Sequence, residues 1–348
     1  MQERAGEQQP SFAVLIPFRN EAENLPALLA SLAALAYPTD DYEVILIDDH
    51  SEDEGAGAVA GAMEVFKAQG IALRLLSLAD HLKGRSVVAH KKEALAYGIA
   101  NTTAELIFTT DADCQLPPTL LKELAAAFRP EVSLVLGPVL IDPADDFLSG
   151  FQALDFAGYQ LYTAACVAGG APTLANGACF AFRREAFLAA GGYAGVDHLP
   201  SGDDVLLLHK FNALGATAAW KPGRAVVTTR PVGSWRGLWR QRLRWAGKAG
   251  SYVSPELQFG QGLTWALCAA IVCSLPLGIW WPGLLPAALL AWASKAIVDF
   301  VLLRDIARHY GQEPPLRWYP LTALLYPFYL FAVGAAALLG VKAGWKGR

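Results

Sequence analysis

The sequence of 348 residues lacks the patterns that mark several common classes of protein. Its five cysteines form no Cys-x-x-Cys pair, so neither a disulfide framework nor a zinc site is indicated. No Gly-x-Gly-x-x-Gly follows the first predicted strand and no Gly-Lys-Ser/Thr occurs, which argues against a dinucleotide oxidoreductase or a P-loop enzyme. The net charge of -4 provides no basic surplus. We therefore expect no nucleic-acid partner, because neutralising phosphates needs a basic surface.

Two further absences concern the start of the chain and its histidines. Residues 1–11 are polar and contain no apolar core of a signal peptide, so we expect the first domain to remain in the cytoplasm. The six histidines show no spacing typical of a metal site and are predicted to be surface or packing residues.

Hydrophobic residues make up 54% of the chain, but they are distributed unevenly. Charged residues lie mostly before Lys248, and the rest of the chain is largely apolar. Three apolar stretches there have about the 20 residues needed to cross a hydrocarbon core, and they predict membrane spans at residues 263–281, 284–303 and 321–341. Pro327 predicts a kink or partial insertion of the third span. In the second, Lys295 and Asp299 lie four residues apart, which fits either a mutual ion pair or an acceptor or head-group site.

The basic residues near these spans do not determine the orientation of the spans in the membrane. Three arginines flank the connection between the second and third spans, and three basic residues close the chain: Arg304, Arg308 and Arg317, then Lys342, Lys346 and Arg348. With the first domain in the cytoplasm, three spans place the arginines inside and the tail outside. The positive-inside rule does not separate these two ends.

Before the spans, short apolar runs alternate with helical patterns. Strands are predicted at 12–16, 42–47, 72–76, 106–108 and 132–136, and helices at 25–35, 56–69, 91–100 and 205–214. This alternation predicts an α/β, Rossmann-like domain with a mostly parallel sheet. Ligands of such sheets bind outside the carboxyl ends of the strands. Polar clusters follow three of the strands and are predicted to converge on one crevice: 17–21, 48–51 and 111–113.

Two pairs of aspartates suggest chemistry. In an extended chain alternate side chains point the same way, so Asp111 and Asp113 can share a divalent cation with the oxygens of a phosphate. The plainer alternative is a turn that caps a helix starting near Pro117. Asp203 and Asp204 follow a glycine at the predicted start of a helix, where capping explains one carboxylate but does not require two.

Between Trp235 and Trp245, arginines alternate with tryptophans. This pattern predicts an amphipathic helix at a bilayer surface, with arginines near anionic head groups. The chain is therefore predicted to have a first domain at 1–230, an interfacial region at 231–260 and a transmembrane region at 261–348.

Five motifs occur in a fixed order between Phe12 and Trp245. They are Val14-Leu-Ile-Pro-Phe-Arg-Asn-Glu21, Asp48-Asp-His-Ser51, Asp111-Ala-Asp113, Gly202-Asp-Asp204 and Gln241-Arg-Leu-Arg-Trp245. In this order they resemble the membrane-integrated branch of the family-2 inverting glycosyltransferases with the GT-A fold, which contains cellulose, hyaluronan and ceramide sugar transferases. The third acidic motif departs from the Thr-Glu-Asp or Glu-Asp of that family at its middle position.

The resemblance implies a role for each motif. Asp49 would contact the nucleobase, and the other residues at the nucleotide sugar would be Pro17, Arg19, Glu21, Lys91, Asp111, Arg242 and Arg244. Asp111 and Asp113 would hold Mg²⁺ or Mn²⁺, and Asp204 would be the catalytic base. The residues implied at the acceptor are Asp203, Gln241 and Trp245. Lys92 lies beside Lys91, so the sequence leaves open which of the two lysines is the basic residue near the nucleotide.

The implied function is a membrane-bound, inverting, metal-dependent glycosyltransferase. It would move a sugar from a nucleoside-diphosphate donor, UDP-linked, to a lipid or lipid-linked glycan at the cytoplasmic face of the inner (plasma) membrane. One alternative is a processive polysaccharide synthase. Another, of a different class, is a non-catalytic membrane subunit that binds a nucleotide sugar. A retaining mechanism would need a second carboxylate as nucleophile, for which Asp203 is the nominal candidate.

Overall fold

The computed structural model describes residues 9–221, 223–247, 252 and 254–341. The chain divides into two compact units, the first formed by Met1–Val139 with Thr163–Thr229 and the second by Leu140–Tyr162 with Arg230–Arg348. The basic tail used in the orientation argument (Lys342, Lys346 and Arg348) lies outside the described residues, as do residues 1–8 of the polar start. The three predicted regions stay a prediction.

The strands and helices follow the alternation expected from the sequence. The strands are β1 Phe12–Phe18, β2 Tyr42–Asp48, β3 Ala72–Ser77, β4 Leu106–Thr109, β5 Cys114–Gln115, β6 Val132–Leu136, β7 Val139–Ile141, β8 Phe180–Arg183, β9 Thr217–Trp220 and β10 Val227–Thr229. The helices are α1 Leu25–Ala33, α2 Gly55–Ala68, α3 Leu78–Leu82, α4 His90–Ala100, α5 Leu120–Ala127, α6 Phe147–Ala168, α7 Arg184–Ala189, α8 Val205–Ala213, α9 Trp235–Ala246, α10 Pro255–Leu277, α11 Leu284–Tyr310 and α12 Tyr319–Leu338.

The first unit is built on a seven-stranded sheet with the order β3-β2-β1-β4-β8-β6-β9. Every neighbouring pair is parallel except those of β8, which runs antiparallel to β4 and β6. Residues 12–16 of β1 are fully buried, as expected for a central strand that is covered on both faces. The predicted mostly parallel, Rossmann-like sheet is confirmed. A smaller sheet has the order β5-β10-β7.

The strand register brings the polar clusters to one edge of the sheet. Phe18 at the end of β1 lies opposite Asp48 at the end of β2, and Leu15 of β1 lies opposite Thr109 at the end of β4. The segments that follow these strands therefore leave the sheet side by side. The Asn20 backbone N–H donates to Ser51 Oγ at 3.1 Å, which ties the first segment to the second.

Among its described residues, the second unit contains three helical segments long and apolar enough to cross a membrane, Pro255–Leu277, Leu284–Tyr310 and Pro314–Leu338. The three expected apolar helices are thus present, but of their six ends only the start of the second, at Leu284, agrees with the prediction. The first begins at Pro255, after Ser254 caps it by accepting from the Leu257 N–H at 3.2 Å. The second extends to Tyr310 and is ended by Gly311, whose φ of 68° is left-handed. Capping residues, which the apolar pattern does not include, set these ends.

Two details of the spans were left open by the sequence. Lys295 and Asp299 form an ion pair within α11, and Lys295 Nζ lies 4.8 Å from the centre of the Tyr326 ring on α12. Of the two explanations offered by the sequence, the mutual ion pair is therefore present in the structure. Helix α12 continues through Pro327 to Leu338.

Candidate active site

The two aspartates after β4 lie in a turn. The Cys114 N–H donates to the Asp111 carbonyl oxygen at 3.2 Å, so residues 111–114 reverse the chain before β5. A turn was predicted here as the plainer alternative and is present, although the helix that follows, α5, begins at Leu120 rather than near Pro117. The two carboxylates nevertheless interact, as the pKa of Asp113 shows.

The pKa of the Asp113 carboxyl is raised to about 6. Burial is the main cause, and the negative charges of Asp111 and Glu21 add to it. Ionising a buried carboxyl group beside other carboxylates costs free energy, and a bound divalent cation lowers that cost. The oxygen-rich donor set of Asp111 and Asp113 therefore fits Mg²⁺ or Mn²⁺.

Lys91 joins this turn to the segment before α8. Its Nζ lies 2.7 Å from Asp111 Oδ1 and 3.1 Å from Asp203 Oδ2. Burial alone would lower the pKa of Lys91, but the two carboxylates raise it well above the ordinary value, so the ammonium group stays charged. The structure thus brings Lys91, Asp111 and Asp203 into one cluster, although the sequence separates them by up to 112 positions, from 91 to 203.

Lys92, the neighbour that made the register uncertain, points elsewhere. It is 1% exposed, and its Nζ donates to the carbonyl oxygens of Val196 and Leu199 at 2.7 and 2.8 Å. Consecutive helical residues project about 100° apart, so only one of the two lysines can face the carboxylates. Lys92 holds the loop that leads to Asp203 and Asp204.

Asp204 is the N-cap of α8. Its Oδ1 accepts from the Val205 N–H at 2.7 Å, and its Oδ2 accepts from the Gly177 N–H at 3.0 Å. The Gly177 carbonyl in turn accepts from Thr109 Oγ1, at the end of β4, at 2.8 Å. Gly177 thereby links the β4 end to the start of α8.

A side chain at Gly177 would disturb this arrangement. A Cβ there would lie 3.1 Å from Asp203 Oδ2 and 3.4 Å from Lys91 Nζ. The glycine permits the close approach of backbone to the charged cluster, so Asp111, Lys91, Asp203 and Asp204 all belong to one site of the first unit.

Asp49 lies beyond β2, with two histidines on one of its oxygens. His50 Nδ1 and His90 Nδ1 are each 2.8 Å from Asp49 Oδ1. These three residues could hold a metal ion, and no ion is needed to explain them, because 2.8 Å is an ordinary hydrogen-bond distance. For these two histidines the surface or packing role stays a prediction. The sequence carries no signal for the pair, because His90 is 41 residues from Asp49.

The segment after β1 carries the other predicted nucleotide residues. Pro17 lies within β1 opposite Ile47, and Arg19 pairs with Glu52 at 3.5 Å. Glu21 Oε2 accepts from Asn24 Nδ2 at 2.6 Å. A cavity of about 450 Å³ here is lined by residues 20–24, Asp53 and Glu54. The side chains that line it include four carboxyl groups. The other acidic cluster differs in holding a positive charge, that of Lys91, between Asp111 and Asp203.

The last motif, Gln241 to Trp245, lies on α9 of the second unit. There the Arg242 guanidinium is buried, and its Nη2 is 2.7 Å from Asp155 Oδ2 on α6. Asp155 did not figure among the residues expected from the sequence. Nothing in the pattern of α6 distinguishes this aspartate from a solvent-exposed one. The roles implied for Gln241, Arg244 and Trp245 stay predictions.

Comparison with known proteins identifies the family of the chain. The family model described as glycosyl transferase family 21 matches residues 1–348. The undecaprenyl-phosphate 4-deoxy-4-formamido-L-arabinose transferase of Enterobacter sp. (strain 638) is 36% identical over 115 residues, which cover 33% of this chain and 32% of that protein. The β-monoglucosyldiacylglycerol synthase of Synechocystis sp. is 25% identical over 243 residues, which cover 68% of this chain and 47% of that protein. The chain thus spans a third to a half of the length of these curated relatives.

A solved structure shows the same fold. The mannosyltransferase PcManGT from Pyrobaculum calidifontis, in complex with GDP-Man and Mn²⁺, matches with a TM-score of 0.57 and 23% identity over 96% of this chain and 89% of that one. The predicted GT-A fold is confirmed. The more specific resemblance to cellulose, hyaluronan or ceramide transferases of family 2 is not, since the matching family model is that of family 21.

Proposed function

The chain belongs to glycosyl transferase family 21, and from that premise we propose that it transfers a sugar from a UDP-linked donor to a lipid or lipid-linked glycan. The reaction takes place at the cytoplasmic face of the inner membrane and inverts the anomeric centre. The observation that carries the proposal is the cluster in which Lys91 joins Asp111 to Asp203, next to Asp204. This cluster supports a site that combines a divalent-cation platform, a fixed positive charge and a candidate base.

The donor side of the reaction leaves negative charge on a diphosphate. Asp111 and Asp113 would hold Mg²⁺ or Mn²⁺, which would supply Lewis-acid stabilisation of that charge. Lys91 adds a second positive charge on the same side, kept protonated by its two carboxylate partners. Asp49 is proposed to contact the nucleobase.

The acceptor side requires removal of a proton from a hydroxyl group. Asp204 is the proposed base, since each carboxylate oxygen has two acceptor positions and a backbone hydrogen bond uses only one. The Gly177 and Val205 N–H groups hold its two oxygens in place while the hydroxyl attacks. One base with direct attack gives inversion, and Asp203, committed to Lys91, is poorly placed to act as a nucleophile.

The acceptor class follows from the membrane part and from the relatives. Three helices of the chain are long and apolar enough to cross a bilayer, and the two relatives above are named for an undecaprenyl-phosphate sugar and a glucosyldiacylglycerol. Both names describe a sugar joined to a lipid. These points support a lipid acceptor and the membrane location.

The test is a donor screen with the purified full chain. Nucleotide release is measured for a panel of UDP- and GDP-sugars with detergent-extracted native lipids as acceptors, with Mg²⁺ or Mn²⁺ present. We expect one UDP-sugar to be consumed and one sugar to be added per lipid, with inversion seen by NMR of the product. A ladder of products would instead indicate a processive synthase. Binding of the donor with neither transfer nor hydrolysis would overturn the proposal and favour a non-catalytic subunit.

A further inference from the structure

The buried arginine of the α9 motif is joined to two other helices of the second unit. Arg242 is 3% exposed, and its Nη2 lies 2.7 Å from Asp155 Oδ2 of α6. Its Nε donates to the Tyr329 hydroxyl of α12 at 3.0 Å. One guanidinium group therefore connects α9 to α6 and α12.

The guanidinium group of Arg242 stays charged although it is buried. Burial alone would lower the pKa of Arg242, but the adjacent charge of Asp155 raises it, so the arginine is held as a cation. The pKa of Tyr159, on α6 beside the pair, is raised to about 12 by burial and by Asp155. Removing one member of such a buried pair leaves the other charged and uncompensated, which is far more damaging than removing both.

Arg242 also supports Trp245, three residues further along α9. The Arg242 Cζ lies 4.2 Å from the centre of the Trp245 ring, in the geometry of a cation–π contact. Phe156 and Tyr159 of α6 flank the same ring, with centroid distances of 6.1 and 6.3 Å. The indole is thus held between the guanidinium group and α6.

The second arginine of the motif projects differently. Arg244 follows Arg242 by two positions, which turns its side chain about 200° around the helix axis. Residues three apart share a face, so Arg242 and Trp245 do, whereas Arg242 and Arg244 do not. Arg244 is half-buried and Arg242 is buried.

We propose that Arg242 is a positioning residue, which through its ion pair with Asp155 holds Trp245 in place for the acceptor, and that it is not a ligand of the donor diphosphate. This refines the sequence expectation that both arginines contact the donor. It rests on the proposed function for the acceptor role of Trp245, but the position of the Trp245 ring can be measured without any activity.

The decisive variant is the double replacement Arg242→Met with Asp155→Leu, which removes both charges together. Apolar replacement of a whole buried pair is often neutral for stability, so this variant is expected to fold, whereas Arg242→Met alone would leave the Asp155 charge buried without its partner. Arg240→Met is the matched control, because it removes an exposed arginine from the same helix. The chain is labelled with 5-fluorotryptophan, and the Trp245 resonance is assigned by Trp245→Phe.

We expect the Trp245 fluorine resonance to shift and broaden in the double variant and to stay unchanged in Arg240→Met. Transfer to the acceptor should fall by about 100-fold. Hydrolysis of the donor by water, and its KM, should stay at the wild-type values. In a Trp245→Ala background the double replacement should cause no further loss of transfer, because Arg242 acts through the ring that is gone.

Three results would overturn the inference. An unchanged Trp245 resonance would show that the pair does not position the ring, whatever the activity. A raised donor KM with lost hydrolysis would show that Arg242 contacts the donor directly. If the double replacement lowered transfer by the same factor in the Trp245→Ala background as in the wild type, Arg242 would act independently of Trp245. If the wild-type chain transfers no sugar, the proposed function fails, and the resonance alone decides the positioning.

Discussion

Replacing Asp204 by asparagine separates its two functions, as the proposed base and as the helix cap. The carboxylate accepts two backbone N–H groups, from Val205 at 2.7 Å and from buried Gly177 at 3.0 Å. An asparagine side chain has the same shape but only one oxygen, so one of these N–H groups loses its acceptor. It also cannot take a proton from a hydroxyl group.

The magnitude for stability follows from these two contacts. Loss of a helix cap costs about 1 kcal/mol, and an unsatisfied buried N–H costs roughly 1–3 kcal/mol. The asparagine side chain would keep one contact, so the free energy of unfolding should fall by about 1–3 kcal/mol. A domain with an ordinary stability of about 5–15 kcal/mol remains folded after such a loss.

The magnitude for activity is larger. A positioned general base contributes about 10²–10⁴-fold in rate, which is about 3–5 kcal/mol of activation free energy. Asp204→Asn should therefore lower kcat for transfer by at least about 100-fold, while the donor KM and the dissociation constant of UDP change little.

The assay is nucleotide release at a temperature well below the thermal midpoint, which is measured by intrinsic fluorescence for both proteins. Asp40→Asn is the matched control, because it removes an exposed carboxylate outside the site. Wild-type kcat in Asp204→Asn would refute the assignment of the base. A loss of activity that tracks unfolding would refute the separation of the two roles.

Four other changes have defined outcomes. Lys91→Met leaves Asp111 and Asp203 without their shared cation and should raise the donor KM by about tenfold or more, measured by initial rates across donor concentrations. Lys92→Met should leave the donor KM unchanged but lower kcat and the thermal midpoint, because it releases the loop held at Val196 and Leu199, measured by the same rates and by fluorescence. Chelation with EDTA should abolish transfer reversibly, with activity restored by Mn²⁺ or Mg²⁺. Replacing Lys295 and Asp299 together by leucine should leave transfer intact, measured in detergent with native lipid acceptors.

Each of these outcomes has a contrary result. A wild-type donor KM in Lys91→Met would show that the diphosphate does not bind at Lys91. A raised donor KM in Lys92→Met would show that Lys92, not Lys91, is the lysine that binds the donor. Full activity in EDTA would remove the cation from the mechanism. Loss of transfer without loss of folding in the leucine variant would make the Lys295 pair part of an acceptor site.

Local patterns predicted five strands of the main sheet, four helices of the first unit and the three apolar segments, because burial on both faces of a strand and the length of an apolar segment depend on consecutive residues. The acidic motifs were likewise visible from order and spacing. Helix ends were less accurate, as with α10, since Ser254 and Pro255 rather than hydropathy begin it.

Contacts between distant residues were decided by the fold alone. Which of Lys91 and Lys92 faces the carboxylates depends on the rotation of α4, and the placement of His90 against Asp49 depends on the approach of that helix to the end of β2. The turn after Asp111 was one of two predicted alternatives, and the backbone hydrogen bond from Cys114 to Asp111 decides for it.

The sequence by itself determined the fold class, the three long apolar segments and the motif residues, since each is encoded in short-range order. Only the tertiary structure decided that Lys91 joins Asp111 to Asp203 and that Arg242 joins Asp155 to Tyr329. The physical reason is that charge and burial act across space. A lysine or arginine acquires its function from the carboxylates that folding brings within about 3 Å, and no spacing along the chain records that distance.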